Sequence, residues 1–162
     1  MVSGATRTIT FEDFFVDGKS VEGVRTRTNN GVDDQGRPSW TKSTVGGKIT
    51  WPNGVTRTWD ATHTILVIAG YDTPHFRKDD DLEISGTRSV VRKDGTTISS
   101  TITTPLVKMH DCKWIVSGVQ EMTRNGETAT LDFGNGDCDM WGTLTLADGT
   151  TKPIKLKPWR HH

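Results

Sequence analysis

The sequence predicts an all-β domain built as an antiparallel meander of long hairpins, with one disulfide. Three observations predict it: Asn-Gly and Asp-Gly turn signals recur, Thr and Val dominate the segments between them, and the chain has 2 Cys. No segment shows the 3.6-residue periodicity of an amphipathic helix. The 162 residues fit one domain, so we expect residues 1–162 to fold as a single unit.

The turn dipeptides define where neighbouring strands reverse. Asn or Asp followed by Gly tolerates the positive φ angles of a two-residue type I′ turn. We expect such turns at five dipeptides and a less regular reversal at Asn30-Gly31; the five are Asp17-Gly18, Asn53-Gly54, Asp94-Gly95, Asn125-Gly126 and Asp148-Gly149. The pairings leave open whether the strands form a sandwich, an open barrel or an extended twisted sheet.

One of these turns brings the two cysteines close together. A two-residue turn at Asn125-Gly126 pairs Arg124 with Glu127, and extending that ladder leaves Cys112 one position away from facing Cys138. A one-residue bulge in the first strand would bring them face to face. We therefore predict a Cys112–Cys138 disulfide.

The first hairpin raises a conflict of charge. A regular two-residue turn at Asp17-Gly18 would place Asp13 opposite Glu22, and like charges facing each other across strands are unfavourable. A bound cation would relieve this repulsion, and so would a different register. We expect the register to differ.

The disulfide and the composition bear on compartment and partners. A disulfide is typical of exported proteins, so we expect a secreted or cell-envelope protein, in the periplasm or on the cell surface. Residues 1–4 do not begin a signal peptide, so we expect the chain as given to lack its export signal. The net charge is +0, which predicts no nucleic-acid partner, and no apolar stretch approaches the ~20 residues of a membrane helix. The oligomeric state stays open.

The C-terminal half carries a family-like pattern, clear over roughly residues 84–156 and looser over residues 5–70. It comprises Thr104-Pro105-Leu106, Asp111-Cys112-Lys113-Trp114-Ile115, Ser117-Gly118, Asn125-Gly126 and Leu131-Asp132-Phe133-Gly134-Asn135-Gly136-Asp137-Cys138-Asp139. This pattern resembles a β domain of exported, often lipoprotein-type proteins of Bacteroidota. The resemblance implies a cell-envelope or surface location and implies no activity. The lipid-bearing Cys of such lipoproteins is absent from this chain.

Aromatic side chains are the first candidates for ligand binding. Exposed Trp rings suit sugar rings or a protein partner. A two-residue turn at Asn53-Gly54 would place Trp51 and Trp59 on opposite faces of their hairpin, one in the core and one toward solvent. The long loop over residues 70–81 also suits binding. The candidate ligand-binding residues are Trp40, Trp51, Trp59, Tyr71 and His75.

Clustered carboxylates suggest two weaker hypotheses. Asp79 and Asp81 lie in one cluster, and Asp137 and Asp139 lie in another beside Cys138. These four residues are weak candidates for a calcium site, although the second cluster lacks the Gly and Glu of an EF-hand loop. Paired carboxylates also serve glycoside-cleaving enzymes. We expect no cofactor, with calcium as the alternative.

Thr-x-Thr pairs recur throughout the chain. A flat array of Thr is typical of an ice-binding surface, which needs a regular lattice. These pairs have no fixed spacing along the sequence. We interpret them as β propensity with solvated hydroxyl groups.

These observations favour a non-catalytic module that binds a glycan or a protein partner. Motifs for a nucleophile, a phosphate loop or a dinucleotide site are absent from the sequence, and we assign no catalytic residue. One alternative is a polysaccharide-acting enzyme that uses paired carboxylates. The other is a structural or assembly protein that pairs through its edge strands.

Overall fold

The fold is described by a computed structural model that covers residues 2–73 and 77–159. Ten antiparallel strands form one sheet in chain order, and the sheet is not closed into a barrel. The all-β prediction is confirmed, and of the three architectures left open the single open sheet is observed. The strands are β1 (Thr6–Val16), β2 (Lys19–Val32), β3 (Pro38–Thr50), β4 (Thr56–Ala69), β5 (Asp81–Val91), β6 (Thr97–Lys108), β7 (Ser117–Arg124), β8 (Glu127–Asn135), β9 (Trp141–Thr145) and β10 (Thr151–Lys155).

Two of the predicted two-residue turns are confirmed. Val16 pairs with Lys19 across Asp17-Gly18, and Arg124 pairs with Glu127 across Asn125-Gly126. Both residues of each dipeptide have positive φ, as a type I′ turn requires.

The turns at Asn53-Gly54, Asp94-Gly95 and Asp148-Gly149 are longer by one residue. At the first of them, Trp51 N donates to Val55 O, so three residues separate the paired positions. The side-chain oxygen of Asn53 accepts a hydrogen bond from Val55 N, which favours a three-residue loop with Gly54 in the left-handed region. The prediction of two-residue turns was wrong at these three places.

The Asn30-Gly31 dipeptide is not a reversal point. It lies inside β2, and the chain turns later, where Asp33 N donates to Arg37 O. The Asp33 carboxylate accepts from the backbone of Arg37 and forms an ion pair with its guanidinium at 2.7 Å. These contacts favour the turn at Asp33–Arg37, so the sequence-based position was wrong.

The first hairpin avoids the like-charge contact, as expected. The register shifts between Phe11 and Phe14, and Asp13 has a φ of 48° in the resulting bulge. Glu22 instead faces Lys48 of β3, with a carboxylate-to-ammonium distance of 3.0 Å. The bulge therefore separates two carboxylates that a regular ladder would oppose.

The predicted disulfide is confirmed, although its setting differs from the expected one. Cys112 precedes β7 and Cys138 follows β8, with their Cα atoms 5.6 Å apart. The register shifts between Ser117 and Val119, and the extra residue lies in β8, not in the first strand as predicted. The bond thus joins two connecting segments.

The buried core is small and lies near one end of the middle strands β4, β5 and β6. Ile65, Ile84 and Leu106 come from adjacent strands, and Ile115 comes from the segment between β6 and β7. Trp159 packs against this cluster, and its backbone N donates to Lys113 O at 2.7 Å. The described strands contact mainly their neighbours within the sheet, so there is no second sheet layer among them.

The two faces of the sheet differ in chemistry. On one face of the sheet, a row of paired positions crosses all ten strands. Nine of these positions hold a hydroxyl residue, and the position on β7 holds Glu121. We call this face of the sheet the threonine face. The members of the row are Thr8, Thr26, Ser43, Thr62, Thr87, Thr101, Glu121, Thr130, Thr145 and Thr151. The opposite face carries the buried cluster and many cations, and we call it the basic face.

Candidate functional site

The basic face aligns basic side chains on four adjacent strands. Arg7 of β1 pairs with Arg27 of β2, Arg27 with Lys42 of β3, and Lys42 with His63 of β4. We call these four residues the cationic row. Strands lie ~4.8 Å apart, so the cationic row spans about 14 Å.

The next row on the same face adds two more cations. Arg25 lies there on β2 and Arg88 on β5, with Thr44 and Ala61 between them. The paired positions of these two rows hold no Asp or Glu within the described strands. Positive charge is therefore concentrated over strands β1–β5.

Most acidic residues of strands β2–β8 lie on the opposite side, although Glu127 of β8 pairs with Arg124 on the basic face. The threonine face in β2–β8 carries Glu22, Asp60, Glu83, Glu121 and Asp132. The balance of 20 basic and 20 acidic residues thus conceals a separation of charge across the sheet. The sequence-based argument from net charge missed this separation, because it depends on which strands pair.

The cationic row places like charges opposite each other on adjacent strands. Like charges directly opposite each other on adjacent strands are destabilising. Partial burial, together with the nearby Arg27 guanidinium, lowers the pKa of Lys42. Burial also lowers the pKa of His63, and Arg88 and Lys42 lower it further. His63 is therefore neutral at pH 7, while Lys42 carries its charge at some electrostatic cost.

Three aromatic rings of the basic face stack with its guanidinium groups. The guanidinium carbon of Arg27 lies 4.6 Å from the centre of the Trp40 ring. The corresponding distances are 5.8 Å from Arg57 to Trp51 and 5.4 Å from Arg25 to Phe11. Such stacking orients the guanidinium groups and leaves their edges available for hydrogen bonding.

Trp40, Trp51 and Trp59 share the basic face. Trp59 faces Gly47 there, and Trp51 lies beside Arg57. The predicted placement of Trp51 and Trp59 on opposite faces was wrong, because the turn between them has one more residue than expected. All three rings are half-buried, and the buried indole nitrogen of Trp40 has no hydrogen-bond partner among the described residues.

The remaining two ligand-binding candidates lie elsewhere. Tyr71 is 40% exposed in the connection after β4, and His75 is outside the described residues. Sequence reasoning missed Trp141, whose side chain is 51% exposed on the threonine face. Trp141 begins a short strand directly after a loop, and nothing in the surrounding sequence indicates that its side chain is exposed.

A cleft of about 690 Å³ continues the basic face at the tips of two hairpins. Trp51 and Arg57 line it from one hairpin, and Arg92 and Lys93 line it from the next. Asp94 is its one lining carboxylate among the described residues, and hydrogen bonds from Thr96 lower the pKa of that carboxyl group. Three cations thus line the cleft against one carboxylate, and Trp51 is its one aromatic ring among the described residues.

Two of the weak metal candidates each accept a local hydrogen bond through one carboxylate oxygen, while the second oxygen of Asp79 is buried without a hydrogen-bond partner among the described residues. Asp79 accepts from the Thr73 hydroxyl at 2.8 Å, and Asp139 accepts from Trp141 N at 2.8 Å. Within the described residues, no group of three or more His, Cys, Asp or Glu is placed to hold a metal ion. Asp137 belongs to no such group either. The calcium alternative stays a prediction.

Asp81, the fourth metal candidate, forms an ion pair with a histidine. Its carboxylate lies 2.8 Å from His110 Nδ1 and also accepts from His110 N. The hydrogen bond that His110 Nδ1 donates to this carboxylate raises the pKa of His110. The pair therefore anchors the segment that follows β6 to the start of β5.

Neither described cleft contains a pair of carboxylates. Asp94 is the one carboxylate of the first cleft. A second, smaller cleft of about 350 Å³ is lined by Asp132, Asn135 and Trp141 among others, with Asp132 as its one carboxylate among the described residues. A glycoside-cleaving site needs two carboxyl groups facing each other across the substrate.

Comparison of the chain with protein-family models, curated proteins and solved structures finds no match. The helical residues that are described, Arg77–Asp79, form a single 3-10 turn. The described part of the chain thus has no helix that could cross a membrane.

Proposed function

We propose that this chain is a non-catalytic glycan-binding module of the cell envelope or the secreted space, and that it binds through the basic face. The observation that carries the proposal is that Trp40, Trp51 and Trp59 share one sheet face with stacked guanidinium groups. Aromatic rings provide flat platforms for sugar rings, and Arg donors bind hydroxyl and carboxylate oxygens.

The disulfide supports the proposed location. Cystines persist in oxidising compartments such as the periplasm, the cell surface and the extracellular space. The Cys112–Cys138 bond agrees with the Bacteroidota resemblance, which itself stays a prediction. Each described cleft is lined by a single carboxylate, whereas a glycoside-cleaving site needs two.

A glycan array followed by titration calorimetry tests the proposal. We expect binding to at least one polysaccharide class, lost in the Trp51→Ala variant, because that ring lines the cleft and stacks with Arg57. The matched control is Trp141→Ala, which removes an exposed ring from the threonine face. Failure to bind any glycan, or loss of binding in the control alone, would refute the proposal.

Assembly through β1 is a second candidate function. This edge strand runs over Thr6–Val16, and its residues are exposed apart from half-buried Phe11. An exposed edge offers unpaired backbone donors and acceptors to another strand. Light scattering across a range of concentrations tests it: a dimer that Ile9→Pro abolishes supports assembly, and a constant monomer mass refutes it.

A further inference from the structure

We propose that the ligand of the basic face is an acidic polysaccharide, whose anionic groups lie across strands β1–β5 against the cationic row and its two neighbouring arginines. This inference rests on the proposed function and specifies the ligand class of the same site. The four paired positions are Arg7, Arg27, Lys42 and His63, and the neutral His63 gains a positive charge only when a bound anion raises its lowered pKa.

The first argument is the electrostatic arrangement. An antiparallel sheet normally places opposite charges or apolar residues across from one another. Here two successive pairs, Arg7 with Arg27 and Arg27 with Lys42, are both cationic. A bound polyanion would convert this repulsion into attraction at each site, so the arrangement suits a ligand with repeated negative charge.

The second argument is the spacing. Neighbouring members of the cationic row are ~4.8 Å apart because they lie on adjacent strands. A polysaccharide with one carboxylate or sulfate on each sugar presents charges at a regular, extended spacing of similar scale. An isolated phosphate or a single carboxylate would engage only one or two of these positions.

The third argument is the continuity of the surface. Arg25 and Arg88 extend the positive charge on the next row, and Arg57 connects it to the cleft that Trp51 lines. Gly86 faces His63, so the position beside the imidazole has no side chain. A chain-like ligand therefore has an extended cationic path with an aromatic ring at its end.

Polysaccharide is favoured over the other common polyanions by the disulfide. Exported domains meet acidic glycans, whereas nucleic acid is chiefly intracellular. The Cys112–Cys138 bond is the observation that favours the exported setting. Tighter binding to nucleic acid or to anionic membranes is therefore a competing outcome of the test.

The test measures binding of the full chain at pH 7 by calorimetry at several salt concentrations. The acidic probes are polygalacturonate and dextran sulfate, and their neutral counterparts are methyl-esterified polygalacturonate and dextran. We expect an acidic probe to bind, with affinity that falls as salt rises, and its neutral counterpart to bind weaker by an order of magnitude or more. Single-stranded DNA and phosphatidylglycerol vesicles are measured in parallel.

Lys42→Met and Lys48→Met provide the matched pair of variants. Both lysines lie on β3, but Lys48 lies on the threonine face and pairs with Glu22. We expect Lys42→Met to weaken binding several-fold and to flatten the salt dependence, and Lys48→Met to bind like the unmodified chain. Met is unbranched like Lys and one heavy atom shorter, so the change is mainly one of charge.

The outcomes separate the two proposals. Equal binding of the acidic and neutral probes, lost in Trp51→Ala, would overturn the acidic ligand and leave glycan binding standing. Tighter binding to DNA or to vesicles than to both acidic probes would overturn the polysaccharide class. Binding that Lys48→Met weakens as much as Lys42→Met would overturn the site, and absence of binding to every glycan would overturn both proposals.

Discussion

Replacing Lys42 by Met is expected to stabilise the fold while it weakens ligand binding. Lys42 faces Arg27 across the strands, and partial burial and that guanidinium lower its pKa. One cross-strand like-charge pair costs about 0.2–1 kcal/mol. His63 on the other side is neutral at pH 7 because its own pKa is lowered, so it adds little repulsion.

We therefore expect Lys42→Met to raise the free energy of unfolding by about 0.5 kcal/mol. For a chain of this size, a change of that order moves Tm by roughly 1–2 °C. The matched Lys48→Met variant removes the ion pair with Glu22, whose side chains are 38% and 45% exposed. Its unfolding free energy should stay level or fall by up to about 1 kcal/mol.

Urea denaturation followed by tryptophan fluorescence measures both variants in the same buffer. Of the two variants, only Lys42→Met should be more stable than the unmodified chain while binding the ligand more weakly. If Lys42→Met lowers the midpoint more than Lys48→Met does, then Lys42 contributes net stability, and the like-charge argument is refuted.

Three further predictions concern the disulfide, Gly86 in β5 and the half-buried His63 in β4. Cys112→Ser with Cys138→Ser opens a loop with a sequence separation of 26, so urea denaturation should show a loss of about 3.5 kcal/mol from chain entropy; an unchanged midpoint would contradict this. Gly86→Ala should lower Tm by several degrees in a calorimetric scan, because φ is +136° and the new Cβ would clash with a facing carbonyl oxygen; a normal Tm would show that the strand adapts. An NMR titration should give His63 a pKa below 6.5, so the stability that neutral His63 contributes is lost as pH falls from about 6.5 through its folded-state pKa. A bound polyanion should raise the pKa of His63. A pKa that the ligand leaves unchanged would mean that the ligand binds elsewhere.

Local chemistry explains which parts of the fold the sequence predicted. Asp17-Gly18 and Asn125-Gly126 form two-residue turns because both residues of each pair adopt positive φ. The Asn53-Gly54 turn gains a residue through the Asn53 side-chain hydrogen bond to Val55 N. Such competition between two local hydrogen-bonding patterns is difficult to judge from the dipeptide alone.

The candidate site depended on information that is not local in sequence. Trp51 and Trp59 share a face only because their turn has three residues, and one residue more or less reverses the face. The cationic row joins residues that are far apart in the chain, so it follows from the pairing of four strands. The row of hydroxyl residues on the threonine face likewise depends on which strands pair. The irregular spacing of the Thr-x-Thr pairs along the sequence therefore did not reveal it.

The most direct test of the central claim is an NMR titration of the labelled chain with an oligogalacturonate. If the basic face binds the ligand, the indole N–H signal of Trp51 and the ring signals of His63 should shift. The indole signal of Trp141, on the threonine face, should stay in place. Shifts confined to Trp141, or none in the presence of saturating ligand, would contradict the assignment of the basic face as the binding surface.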